Sequence, residues 1–256
     1  MAPIRIAIIG LSTTAKTSWA AGGHLPYLNS ARGKERYQIT ALLNSSVDAA
    51  KRAIAGYDLG PDVKPYGSPQ DLAADADIDL CATRVDVHYD TIKPSIAAGK
   101  AVFVEWPLAE NVQRASELAD LAKEKHVDTI VGVQGRVAPP IVKVKELLHA
   151  GTIGKVLSSE LYLAAPFVER GRVSEGLGYF LDKKVGGNPV SIGFAHSTYY
   201  LVDASLTERK LIRNRSNRLC SSHSRRIQEI LVAHPDPATA AHHLQQRSRH
   251  RALSHF

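Results

Sequence analysis

Cysteine is nearly missing from this chain: Cys81 and Cys220 are its two thiols in 256 residues. They lie far apart and neither has metal-ligand spacing, so neither a disulfide framework nor a structural metal is expected to organise the fold. The same scarcity favours a reducing, intracellular setting. No apolar run approaches the roughly 18 residues that a membrane span needs, and no membrane partner is expected. The opening MAPIRIAIIG runs straight into a strand-like segment and lacks the shape of a signal peptide. A cytoplasmic protein is therefore expected, with the nucleus as a second compartment. A basic surface is also missing from most of the chain, despite a net charge of +7. Residues 207–256 hold ten Lys or Arg against three Asp or Glu, whereas the rest holds 22 of each. The basic character belongs to the tail and says nothing about the folded part.

Hydrophobic residues make up 44%, enough for a sizeable core. Ile4 to Ile9, IRIAII, is a β-branched run ended by Gly10 and reads as a strand buried on both faces. Further strands are expected at Gln38–Leu43, Lys64–Ser68, Ile78–Thr83, Ala101–Val104 and Asp128–Gln134. Helices are expected at Lys16–Ala21, Val47–Tyr57, from Pro69 to Ala74, up to Ala98, and at Val112–Lys125. Val112, Ala115, Leu118, Ala119 and Ala122 line one face of that last helix. Strand and helix alternate through residue 134, which predicts an α/β fold with a Rossmann-like, doubly wound parallel sheet. Pro139-Pro140 marks a boundary, and Ile141–Ala150 reads as a short helix. SSELYLA, residues 158–164, alternates as a strand of a second, antiparallel sheet would.

Strand, Gly turn and helix in that order are the context a dinucleotide fingerprint requires. The match to G-x-G-x-x-G/A is partial. Gly10 supplies the tight turn and Ala15 an allowed third position, but Ser12 stands where a second Gly is usual. Gly10, Leu11, Ser12, Thr13 and Thr14 are therefore candidate phosphate contacts, through hydroxyls and backbone N–H groups; an ordinary strand-to-helix turn is the rival. The second strand runs into Asn44 and Ser45, with no carboxylate for a ribose 2′-OH, so NAD and NADP both stay open as cofactors. Thr83 ends the fourth strand, and His88 follows at a helix start, where it can touch a ligand, cap or pack. Glu105, Trp106 and Pro107 follow the fifth strand at the edge where open α/β sheets hold ligands. Gln134 ends the sixth.

These residues together resemble the Gfo/Idh/MocA family of NAD(P)-dependent oxidoreductases, over roughly residues 4 to 200. The ordered features are the Gly10 turn, Thr83 with His88, and Gly99-Lys100-Ala101-Val102-Phe103-Val104-Glu105-Trp106-Pro107-Leu108-Ala109. After these come Gln134-Gly135-Arg136, Pro139 and Gly151-Thr152-Ile153-Gly154-Lys155-Val156. The family's usual run is G-K-H-V-x-x-E-K-P-L-A. The resemblance implies a dinucleotide-binding domain over 1–137, a partial C-terminal α+β domain for substrate and dimerisation over 138–204, and an atypical, poorly ordered basic tail over 205–256. It also implies a sugar or polyol substrate and cofactor contacts from the residues named above.

Two departures follow. Trp106 replaces the family's lysine, and an indole N–H donates a hydrogen bond but cannot accept an alcohol's proton. His196 matches the family's catalytic histidine, but Ile192 stands four residues earlier where an Asp is usual; a buried structural histidine is the rival reading. A branch of the family, the galactose-regulon-repressor-like proteins of fungi, fits better. Its members carry E-W, a Gly turn without the second Gly, and features like Trp19 and Phe194. In that branch the dinucleotide is a ligand at a protein–protein switch. Three readings result: an NAD(P)-dependent oxidoreductase, a non-catalytic dinucleotide-responsive regulator with a protein partner, and a defective product. The tail is unlike the family's continuation and reads as a truncated or alternatively read C-terminus. Direct nucleic-acid binding is disfavoured, because Arg213-Asn214-Arg215 and Arg225-Arg226 lack interleaved aromatics.

Overall fold

The computed structural model of the chain describes residues 2–160, 162, 171–193 and 196. Six strands form one parallel sheet: β1 (Ile4–Ile9), β2 (Tyr37–Leu43), β3 (Lys64–Tyr66), β4 (Ile78–Cys81), β5 (Ala101–Glu105) and β6 (Thr129–Gly132), in the order β3-β2-β1-β4-β5-β6. The order reverses at β1, so a crevice opens beyond the C-terminal ends of β1 and β4. Register makes that edge nearly flush: Ile9 pairs with Leu43 and Cys81, Cys81 with Val104, and Glu105 with Gly132. Gly10, Asn44, Thr83, Trp106 and Gln134 therefore emerge along one rim.

Alternation along the strands separates two apolar layers. Ile4, Ile6, Ile8, Leu42, Ile78, Leu80 and Phe103 face one side with Leu25, Tyr27 and Leu28. Ala7, Ile9, Leu43, Cys81, Val102 and Val104 face the other with Ile92, Ile96 and Leu118. Burial on both faces is what a doubly wound sheet demands, and it explains the continuous apolar runs.

The first layer is covered by α1 (Leu25–Leu28) and α3 (Val47–Gly56), with the short α2 (Ala31–Lys34) leading into β2. α4 (Pro69–Leu72), α5 (Val85–Ala97) and α6 (Val112–Glu124) cover the second. Side-chain caps set several starts: Ser46 accepts from the Ala49 N–H at 3.1 Å and Asn111 from the Arg114 N–H at 2.9 Å. Each such cap contributes about 1 kcal/mol. α7 (Pro139–His149) takes both prolines into its first turn, where their missing N–H groups cost nothing. Among the described residues, no helix is long and apolar enough to cross a membrane.

Several boundaries differ from expectation. The helix expected at Lys16–Ala21 begins instead at Trp19, passes through a π-helical turn at Ala20–His24, and continues into α1. Hydroxyl side chains at Ser12–Ser18 compete for the backbone, and Ser18 Oγ accepts the Ala21 N–H at 3.2 Å. Gln134 lies in a 3₁₀ turn, Gln134–Val137, rather than in β6. Ser158–Glu160 and Tyr162 are not strand, so the expected antiparallel run fails over its described part. Its remainder, Phe194 and the whole of the tail lie outside the described residues.

Candidate functional site

The turn after β1 is shaped by one glycine. Gly10 has φ +94°, and a Cβ there would lie 2.5 Å from Thr83 Cγ2 and 3.0 Å from the Ala82 carbonyl. Only a residue without a side chain lets the turn come this close to the end of β4. Beyond it the Leu11 side chain is fully buried in the core, so Leu11 offers the crevice its backbone alone. Asn44 Nδ2 donates to the Leu11 carbonyl at 2.8 Å and Tyr57 Oη to the Ser12 carbonyl at 3.0 Å, which pins the loop to β2 and α3. Ser12 Oγ accepts the Thr14 N–H at 3.2 Å. Thr13, Thr14 and Ser45 are exposed at the rim. The turn is thereby held against the end of β4, with its exposed hydroxyls on the rim.

The turn after β5 is built differently. Glu105 Oε1 lies 2.5 Å from His24 Nε2, and both side chains are nearly enclosed, 13% and 7% exposed. The His24 ring meets Phe103 and Trp19 edge-on, at centroid distances of 5.3 and 6.4 Å. Gln134 joins the group: its amide donates to the Gly132 carbonyl at 2.9 Å and accepts the Trp19 indole N–H at 3.2 Å. A Cβ at Gly23 would lie 2.6 Å from the Trp19 ring, so the Gly22-Gly23 step lets the indole lie against the π-helical turn. His24 and Trp19 thereby link the helix after the phosphate turn to β5 and β6. His24 was not among the residues singled out from sequence. Its signal was a glycine pair inside a helix followed by histidine, and its partner lies 81 positions away.

Trp106 is joined to Pro107 by a cis peptide bond, and its indole N–H donates to the Ser191 carbonyl at 3.0 Å. That bond ties β5 to the segment 171–193, which runs along the same rim. Lys16 pairs with Glu175, Arg84 lies over the Tyr179 ring at 4.9 Å, and Gly187 abuts Val85. His196, in the helical stretch just beyond, is half-buried; burial lowers its pKa, and the Glu105 charge pulls the other way. The structure thus brings Glu105, Trp106, His196 and Gln134 to one region.

His88 is placed elsewhere. Its side chain is buried, with Nδ1 2.9 Å from the Pro107 carbonyl and Nε2 3.1 Å from the Thr83 carbonyl. Burial lowers its pKa, opposed by those two carbonyls. The ring lies between the ends of β4 and β5, and in its neutral form donates to one of the two carbonyls through its single N–H. Thr83 Oγ1 lies 3.4 Å from Cys81 Sγ and from the Arg84 carbonyl, with its methyl against Gly10. Asp79, one residue into β4, is a second unanticipated group. Both its oxygens are buried without a hydrogen-bond partner among the described residues. Burial pushes its carboxyl up to about 6, with the nearby Ser95 hydroxyl and Lys100 pulling down.

Comparison with known proteins gives this edge a context. Residues 4–133 match the oxidoreductase family with NAD-binding Rossmann fold, GFO_IDH_MocA. A dehydrogenase of Aspergillus oryzae, aclE, is 34% identical over 195 residues, 75% of this chain and 52% of that protein. The galactose/lactose metabolism regulatory protein GAL80 of Kluyveromyces lactis is 30% identical over 204 residues, 76% of this chain and 44% of that protein. The crystal structure of a super-repressor mutant of Gal80p from Saccharomyces cerevisiae superposes with a TM-score of 0.72 at 27% identity, covering 80% of this chain and 54% of that one. The chain spans about half the length of the curated relatives it matches.

Proposed function

The chain belongs to the Gfo/Idh/MocA family of oxidoreductases, and from that premise we propose that its rim binds a nicotinamide dinucleotide and serves hydride exchange with a sugar or polyol. The observation that carries the binding is the Gly10 turn, whose backbone approaches β4 too closely for any side chain. Gly10 to Thr14 turn around the pyrophosphate, with backbone N–H groups from Leu11 to Thr13 and hydroxyls from Ser12 to Thr14, since the Gly10 N–H is bonded to the Leu43 carbonyl and the Thr14 N–H to Ser12 Oγ; Asn44 and Ser45 lie on the ribose side, and Thr83, Glu105, Trp106 and Gln134 line the nicotinamide end. No carboxylate follows β2 to repel a 2′-phosphate, so the crevice accepts NAD and NADP. In this reading residues 1–137 bind the dinucleotide and 138–204 contribute to the substrate side, in the cytoplasm.

Calorimetric titration with each dinucleotide, followed by a sugar and polyol panel, tests the proposal. Saturable binding that Gly10→Ala abolishes, with hydride transfer, supports it. Absence of binding to either form overturns it. A second reading, a dinucleotide-responsive regulator with a protein partner, is favoured by one observation: Trp106 carries no titratable group and its N–H is already bonded to Ser191. One curated relative is itself a regulator of galactose and lactose metabolism. Binding without hydride transfer would decide for that reading.

A further inference from the structure

Oxidation of a secondary alcohol separates a hydride from a proton, and the proton needs an acceptor within reach of the rim. Of the groups described at this edge, Trp106 cannot take it, Lys16 is ion-paired with Glu175, and His88 has both nitrogens on carbonyls. Among the imidazoles and carboxylates beside β5, His24, Glu105 and His196 are left. His196 has Ile192 where a carboxylate partner four residues earlier would stand. His24 has a carboxylate oxygen 2.5 Å from Nε2.

We propose that His24, oriented by Glu105, is the proton-exchanging group of this site; the inference rests on the oxidoreductase reading above. With Nε2–H directed at Glu105, the lone pair of Nδ1 becomes the basic site, and the carboxylate stabilises the imidazolium once a proton arrives. Trp19 and Phe103 hold the ring edge-on, and near-burial keeps the pair little screened by water. A bound oxidised nicotinamide would supply the acceptor for the carbinol C–H electron pair as hydride, and His24 would take the O–H proton. The carbon–oxygen double bond forms, and the imidazolium later returns its proton to solvent. Glu105 is a positioning residue in this scheme, acting through the imidazole.

The test compares His24→Gln, Glu105→Gln and Glu105→Asp with the unaltered chain, after thermal melts establish that each folds. The expected His24→Gln protein binds dinucleotide within about threefold of wild type, loses roughly 100-fold in hydride transfer, and loses the acid limb of its pH–rate profile. Glu105→Asp retains more activity than Glu105→Gln. In the ligand-free protein, imidazole nitrogen resonances of His24 show the Nε2–H tautomer, which Glu105→Gln abolishes. Three outcomes overturn the inference while dinucleotide binding stands: an Nδ1–H tautomer, a His24→Gln protein with unchanged rate and limb, or no hydride transfer from any secondary alcohol. Failure of the unaltered chain to bind either dinucleotide overturns the functional reading itself.

Discussion

Two strand-end turns meet at the rim, and they are held by different forces. The turn after β1 is defined by backbone: a positive φ at Gly10, a close approach to Ala82 and Thr83, and two carbonyls anchored by Asn44 and Tyr57. The turn after β5 is defined by side chains from distant positions: His24 on Glu105, Ser191 on Trp106, and His88 on Pro107. In the proposed function, backbone of the first kind holds the ligand's phosphates, whatever the chemistry. Side chains of the second kind decide which chemistry is available. Binding and reaction are thus separable here, and a chain can keep one turn while altering the other.

The comparison breaks most readily at Gly10. Gly10→Ala combines a left-handed backbone with a clash, and we expect a loss of about 3 kcal/mol in denaturant unfolding, together with dinucleotide affinity. His88→Ala removes the buried ring from between the Pro107 and Thr83 carbonyls, one of which loses its hydrogen bond, so a loss of about 2.5 kcal/mol is expected. Its dinucleotide affinity should stay close to wild type; a large loss of affinity would return His88 to the ligand site. Asp79→Asn should act in the opposite direction. The folded carboxyl titrates near 6 against an ordinary 3.8, so the wild-type fold has its full stability below about pH 4 and loses it as pH rises through about 6. The Asn variant should be more stable by about 2 kcal/mol at pH 7, with the gain vanishing in acid melts. Trp106→Phe has the smallest expected effect. It loses one hydrogen bond to Ser191, about 1 kcal/mol, and should leave dinucleotide binding unchanged if the β1 turn carries it.

The sheet was legible because burial on both faces writes itself as local runs such as IRIAII and AVFV, and parallel strands need helices between them. The edge where the ligand belongs followed from strand order alone. His24 was not legible, because its meaning depends on Glu105 across the sheet and on a π-helical turn that shifts the helix face. Trp19 and Gln134 were visible separately, but their hydrogen bond depends on the 3₁₀ turn that takes Gln134 out of β6. The late helix start had a local cause, six hydroxyl or small residues before Trp19, that helix periodicity does not register. Ser158–Glu160 and Tyr162, the described part of the Ser158–Ala164 alternation, are not strand, because period-two patterning proposes a strand but a ladder must realise it.

The chain holds two tryptophans, and both stand at this rim, Trp19 44% exposed and Trp106 partly covered. One indole N–H faces the Gln134 amide and the other the Ser191 carbonyl. Emission excited at the long-wavelength edge, where the chain's nine tyrosines do not absorb, is therefore a local optical signal from this rim. Quenching or a colour shift would report events at the crevice without any attached dye, and Trp19→Phe and Trp106→Phe would assign the signal to one wall or the other.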